Sequence, residues 1–224
     1  MSAKMAQEHP KGSKCHPLLL QLKDTDEQLS SKCFLAANSH SPMGSWRSTM
    51  ILLEYSAHGV PWFLLNVIFV WFVTDRELCA FYINLFLALC IDVVTVACVK
   101  STTRRKRPVV NREDMFFTVS VDKLSFPSGH ASRTAMLACI IILKTSTSPI
   151  FKLLSVAWCI SVASSRVLLG RHYIGDVCGG IVLGLFEYFV IALLFWMNSE
   201  TALYVASYFT SFAGFHVGNE GVEL

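Results

Sequence analysis

Two histidines stand in short runs that hold most of the side chains in this sequence able to do chemistry on a phosphate ester. His172 follows Ser165-Arg166 and precedes Asp176, and His130 closes the run Pro127-Ser128-Gly129-His130. Upstream, Lys100 is followed seven positions later by Arg107-Pro108. Arg binds phosphoryl oxygens through a planar fork of donors and Lys acts as a point charge, so Lys100, Arg107 and Arg166 suit a multiply charged phosphoryl group. The positive charge that a magnesium ion would bring is then supplied by side chains, and no metal or other cofactor is called for.

Four positions separate His172 from Asp176, which on a helix puts both on one face. The carboxylate can then accept a proton from one ring nitrogen and leave the other to attack, the orienting logic of a triad. Alone, such a pair is common on solvated helix faces; Arg166, six residues earlier at the end of an apolar stretch, makes it a candidate site. Ser165 reads as helix packing. The run Pro127 to His130 directly precedes an apolar helix, so the amides of Ser128 to Ala131 can point at an anion. Gly129 allows close backbone approach, the Ser128 hydroxyl adds a donor, and His130 can protonate a departing oxygen near neutral pH. Arg104, Arg105 and Lys106, taken by themselves, read as a cytoplasmic flank of a membrane span.

The elements that must position these groups are those of a membrane protein. Of 224 residues 53% are hydrophobic and 16% charged, a balance shifted away from soluble domains. The clearest spans are 78–99 and 177–197; the runs 60–73 (extended upstream through 49–56 despite Pro61), 131–143 and 150–169 bring the expected count to five. The run 202–215 fits either a sixth segment or a re-entrant or interfacial helix. The organisation expected is a polar tail over 1–44, interfacial through Leu18, Leu19, Leu22, Leu29 and Phe34 or partly disordered, a membrane domain over 45–200, and a C-terminal segment over 201–224. Residues 1–14 lack the apolar stretch of a secretory signal, so the first span is expected to serve as an uncleaved anchor. The eight cysteines form no C-x-x-C pair and read as small buried hydrophobes.

The pattern K-x6-R-P, P-S-G-H and S-R-x5-H-x3-D resembles the three-part signature of the type 2 phosphatidic acid phosphatase superfamily, which includes vanadium haloperoxidases and bacterial acid phosphatases. Every signature position is filled. The chain from about Trp46 to Trp196 is further similar to the polyisoprenoid diphosphate phosphatase (type 6 phospholipid phosphatase, presqualene diphosphate phosphatase) branch. That likeness is carried by 56–62 (SAHGVPW), 119–123 (VSVDK), 126–133 (FPSGHASR) and 165–172 (SRVLLGRH).

The resemblance implies an all-α polytopic membrane bundle of the phosphatase and haloperoxidase type and a two-step reaction. In it His172 becomes a phosphohistidine, Asp176 holds the tautomer, His130 protonates the leaving oxygen, and water releases phosphate. Lys100, Arg107 and Arg166, with Ser128 and the Gly129 amide, would stabilise charge on the equatorial oxygens. The branch implies isoprenoid (di)phosphates as substrates and a multi-pass protein of the endoplasmic reticulum and nuclear envelope.

A polar site at the ends of apolar helices favours amphiphiles whose phosphate lies at the interface, so phosphatidate, lysophosphatidate and sphingosine phosphate stay open beside farnesyl, geranylgeranyl and presqualene diphosphate. Two other classes stand against these: a non-catalytic scaffold, from which a missing nucleophile or phosphate ligand would be expected, and vanadate-dependent oxidation, whose enzymes resemble soluble proteins. The partners expected are a lipid phosphate or diphosphate and membrane lipids, with no nucleic acid and the oligomeric state open. The charge bias turns the basic loop toward the cytosol, or toward the lumen if the first apolar stretch is re-entrant. Asp92 and Glu187, deep in expected spans, read as helix-packing or ion-pair groups.

Overall fold

The computed structural model describes residues 17–111 and 123–212, the side chains of 209–212 excepted, and among these the chain is all-α. In chain order the helices are α1 (Pro17–Ser31), α2 (Arg47–Ser56), α3 (Gly59–Phe72), α4 (Arg76–Thr103), α5 (Gly129–Lys144), α6 (Pro149–Leu168), α7 (Ile174–Val190) and α8 (Ser199–Phe212). A wider helical turn, Ile191–Phe195, prolongs α7. Residues 1–16, 112–122 and 213–224 lie outside the described set, and with them the 119–122 part of one quoted run and the end of the expected 202–215 segment.

The ends of the long helices follow from local chemistry. Asp75 caps α4 by accepting a hydrogen bond from the Leu78 amide at 2.8 Å, and Pro149 at the first position of α6 supplies a preset φ where no amide donor is needed. At the far end of α6 the chain turns at Gly170, whose φ of +69° lies in the left-handed region. The amides of Gly170 and Arg171 close back onto the carbonyls of Val167 and Arg166, and this turn delivers His172.

Among the described residues, length and composition allow three helices to cross a membrane on their own: α4, α6 and α7 with its extension. The stretch around Pro61 is two helices, α2 and α3, bent by 45° at a short break, and together they qualify as a fourth span. The expected span 131–143 becomes α5, only 16 residues and about 24 Å long at 1.5 Å per residue. Its sequence is explained by position, because nearly every side chain from Ala131 to Ala138 is buried. α5 is therefore the axis of the bundle.

Close approach around this axis comes from glycine. A Cβ on Gly184 would lie 2.1 Å from the Ser132 carbonyl oxygen and one on Gly180 would lie 2.5 Å from that of Ser128, so α7 lies backbone to backbone against α5. Below this seam Leu85, Leu89, Met136, Leu137, Ile140, Tyr188 and Ile191 form the main apolar cluster. Polar ties join the helices: Asn84 of α4 exchanges two hydrogen bonds with the Met197 backbone, and Arg133 of α5 pairs with Asp92 of α4 at 2.7 Å. Glu187 of α7 accepts from the Ser132 hydroxyl at 3.0 Å, so both intramembrane carboxylates hold helices together.

The segment before α2 is also folded onto the bundle. α1 lies against α7: the Ser30 hydroxyl accepts from the Ile174 amide at 2.8 Å, and Asp26 accepts from the Gly175 amide at 2.9 Å. These are two of the amides that a helix start leaves without intrahelical acceptors. Leu18, Leu19, Leu22 and Leu29 of α1 remain exposed. The seven described cysteines are free thiols; Cys79 is buried, whereas Cys98 and Cys178 are exposed.

Candidate active site

Four elements converge at one end of the bundle. The last turns of α4 bring Lys100, buried to 3% exposure, and the following loop brings Arg107. The start of α5 brings Ser128, Gly129 and His130; the end of α6 brings Arg166; the α6–α7 turn brings His172. Arg107, Arg166 and Lys100 all act electrostatically on the His172 ring, and His130 lies within the same reach of both His172 and Arg166. Lys100, Arg107, His130, Arg166 and His172, distant in sequence, thus gather at one end of the bundle.

His172 and Asp176 do not share a helix as their spacing suggests. α7 begins at Ile174, and Asp176 sits in its first turn, where it accepts the Tyr173 amide at 2.9 Å as an N-terminal cap. The helix starts too late to carry His172 because this cap holds Tyr173 extended, with φ −78° and ψ 163°. Even so, His172 Nδ1 and Asp176 Oδ2 face each other at 3.7 Å, longer than a hydrogen bond. Asp176 is fully buried and also accepts from the Ser125 hydroxyl and from Arg105 Nη1, the latter at 2.9 Å.

Burial, and then the positive charges of Arg107, Arg166 and Lys100, hold His172 well below the ordinary imidazole range; a hydrogen bond with the Ser125 backbone offsets this in part. The imidazole is therefore neutral at physiological pH, as an attacking nitrogen must be.

At the start of α5 the placement refines the expected anion cradle. The Ser128 amide is taken by the Asp176 carbonyl at 2.9 Å, and the amides of Gly129, His130 and Ala131 are the next donors of the helix start, with no acceptor among the described residues. Gly129 packs on Val96 of α4, where a Cβ would come to 3.3 Å. The Ser128 hydroxyl and His130 Nε2 are both buried and make no hydrogen bond among the described residues. Buried polar atoms are ordinarily satisfied, so these two at the start of α5, with Arg166 and Arg133 in electrostatic reach of His130, mark a place for an anion. Ser165, by contrast, bonds the Val162 carbonyl within its own helix at 2.7 Å.

Several contributors lie outside the three runs. Glu54 of α2, 2% exposed, reaches Arg166 at 2.9 Å and Arg171 at 3.4 Å and fixes the guanidinium that faces the pocket. A lone carboxylate in the apolar stretch around Met50 to Tyr55 was the signal for it. His58 stands edge-on to His130, ring centroids 6.0 Å apart. Ser125 and Arg105 carried no signal, since their partner Asp176 lies far along the chain.

A helical bundle that holds a buried imidazole 3.7 Å from a carboxylate, with Lys100, Arg107 and Arg166 acting on the ring, has the chemistry to receive a phosphoryl group. Residues 81–200 match the family described as the PAP2 superfamily, and the chain belongs to this family. It is 33% identical over 142 residues to a probable lipid phosphate phosphatase beta of Arabidopsis thaliana, covering 52% of this chain and 66% of that protein. It is 37% identical over 89 residues to decaprenylphosphoryl-5-phosphoribose phosphatase of Mycobacterium tuberculosis, covering 38% of this chain and 45% of that one. The chain thus spans about half to two thirds of these relatives. Its fold is that of the first transmembrane PAP2 type phosphatidylglycerolphosphate phosphatase from Bacillus subtilis, with TM-score 0.59, 21% identity, and coverage of 77% of this chain and 85% of that one. LpxE of Aquifex aeolicus is similar at TM-score 0.53 and 20% identity, covering 74% and 93%.

Proposed function

We propose that this protein is an integral membrane phosphatase that hydrolyses isoprenoid (di)phosphates through a phosphohistidine at His172, with no metal ion in the reaction. The observation that carries the reading is the pairing of a neutral, buried His172 among Lys100, Arg107 and Arg166 with the Ser128 hydroxyl and His130 Nε2, buried and without a hydrogen-bond partner among the described residues.

Nε2 of His172 attacks phosphorus, and a nitrogen–phosphorus bond forms as the bond to the leaving oxygen breaks. His130, which takes up a proton as the dianionic phosphoryl group enters beside it, gives that proton to the leaving oxygen, so the alcohol or lower phosphate departs protonated. Water then attacks the phosphohistidine; His130 takes a proton from it, and phosphate leaves with the electron pair of the nitrogen–phosphorus bond returned to His172. Lys100, Arg107, Arg166 and the amides at the start of α5 hold the three equatorial oxygens throughout. Asp176 and the Ser125 backbone orient the attacking ring.

Two further observations support an isoprenoid tail. A cavity of about 320 Å³ lies between α3, α4 and α5, lined by Trp62, Phe69, Tyr82, Leu85 and Leu137 among others. Leu137 is seven residues beyond His130 on α5, about 10 Å along the axis, within reach of an apolar chain whose phosphate sits in the pocket. One relative is named for a polyprenyl-linked substrate. The proposal extends to location in the endoplasmic reticulum and nuclear envelope, tested by imaging a tagged chain.

The experiment is phosphate release by detergent-solubilised protein from farnesyl diphosphate, presqualene diphosphate, phosphatidate and sphingosine phosphate in the presence of EDTA, beside His172→Ala. Preference for the isoprenoids, abolished in the variant, is expected. Preference for phosphatidate or sphingosine phosphate overturns the substrate assignment, and equal rates in the variant overturn the mechanism.

A further inference from the structure

Arg105 reads in the sequence as one more positive charge of a membrane flank. The fold gives it a different place. Its guanidinium spans two carboxylates, with Nη1 at 2.9 Å from Asp176 Oδ1 and Nη2 at 2.8 Å from Asp26 Oδ2 of α1, and it lies 4.2 Å over the Tyr173 ring. Glu27 of α1 adds a weaker contact at 3.8 Å. The Arg105 carbonyl also accepts from the Ser125 amide at 2.7 Å, so the same residue steadies the second partner of Asp176. From the other side, Asp26 and Ser30 accept the first amides of α7, and a Cβ on Gly175 would come within 2.7 Å of Asp26. Asp26, Arg105, Asp176 and His172 form one continuous line from a surface helix to the reactive ring.

We propose that Arg105, clamped by Asp26 of α1, is a positioning residue that fixes the place of Asp176 and, through it, the attacking ring of His172. A carboxylate at 3.7 Å from the ring holds it only as firmly as it is itself held, and three of its contacts come from the Arg105 and Ser125 cluster and the α7 cap. Bidentate use of the guanidinium makes the geometry specific to Arg. α1 thereby becomes a working part of the catalytic domain.

This inference rests on the reading of His172 as nucleophile, and its test separates the two. Full-length Arg105→Met, Arg105→Lys and Asp26→Asn would be purified in detergent and compared with the parent for kcat, KM, pH profile, thermal unfolding and labelling of His172 by substrate carrying ³²P. Asp26→Asn keeps an acceptor for the Gly175 amide while removing the charge. Arg105→Met is expected to lower kcat about tenfold with KM changed less than twofold. Its acid limb in kcat/KM should move up, since a cation near Asp176 is lost and the imidazolium gains from the less compensated carboxylate. Lys100, Arg107, Arg166 and His130 remain as the other charged or titratable groups facing the ring in every variant. Asp26→Asn should move the limb down, and Arg105→Lys should restore the limb but only part of kcat.

Rates and limbs of Arg105→Met and Asp26→Asn indistinguishable from the parent, with His172 still labelled in it, overturn the positioning role alone. Absence of label at His172 in the active parent overturns the nucleophile and this inference with it. If Arg105→Met does not give folded protein, the limb and kcat of Asp26→Asn decide.

Discussion

Asp176 faces His172 at 3.7 Å while making its shorter contacts elsewhere, to Ser125, to the Tyr173 amide and to Arg105. It therefore faces the ring as one corner of a fixed cluster and also caps α7. Asp176→Asn is expected to lower kcat roughly a hundredfold, at the low end of what positioned acid–base groups contribute, and to lower the unfolding temperature as well. Steady-state kinetics with a thermal melt checks both; loss of stability with unchanged kcat would restrict Asp176 to the fold.

The charges around His172 set the pH profile. Because burial and the three cations depress its pKa, the ring stays neutral below the ordinary imidazole value of 6.5, and activity should persist as pH falls through that value. Removing a cation stabilises the imidazolium, raises the pKa and moves the acid limb upward. Lys100→Met should show this shift in kcat/KM after correction for ionisation of the substrate phosphate, together with a raised KM. A limb that stays in place would mean that Lys100 does not act on the ring.

Close contact of α5 and α7 is tested by adding one methyl group. Gly184→Ala places a Cβ against the Ser132 carbonyl, a backbone group that cannot swing aside, and should cost about 1–3 kcal/mol. Activity should fall with it, because the same seam sets Ser128 and His130 against the α6–α7 turn. Gly59→Ala is the control, since its nearest atoms are the guanidinium end of Arg133 at 3.4 Å and it should be tolerated. Equal melting temperatures for the two variants would contradict the packing account.

Glu54 is a buried partner of Arg166 and Arg171, and its removal breaks both ion pairs. Glu54→Ala should destabilise the protein by about 3–5 kcal/mol, the usual cost of breaking a buried pair. Glu54→Gln should fold better and show a raised KM from a misplaced Arg166. Unfolding by denaturant and substrate titration read the two effects separately.

What the sequence reveals of this site follows from where its information lies. Lys100, Arg107, Ser128, His130, Arg166 and His172 each carry chemistry at a fixed local spacing, and the structure brings them to one pocket. The spans were readable from apolar runs, yet a run of that kind cannot separate a lipid-facing helix from a buried axis, and so α5 looked like the others. Arg105 and Ser125 act through Asp176, a pairing that only the folded chain makes. Gly180 and Gly184, four apart in an apolar stretch, are a packing signal legible in the sequence itself.

The covalent intermediate tests the central claim most directly. Protein quenched during turnover of isoprenoid diphosphate labelled with ³²P in the terminal phosphate, then digested, should carry an acid-labile, base-stable label on the peptide containing His172. The label should vanish in His172→Ala; in His130→Ala, which lacks both the acid of the first step and the base of the second, it should form more slowly and, once formed, persist longer. Turnover without label at His172, or a label on another residue that survives in His172→Ala, would contradict the account.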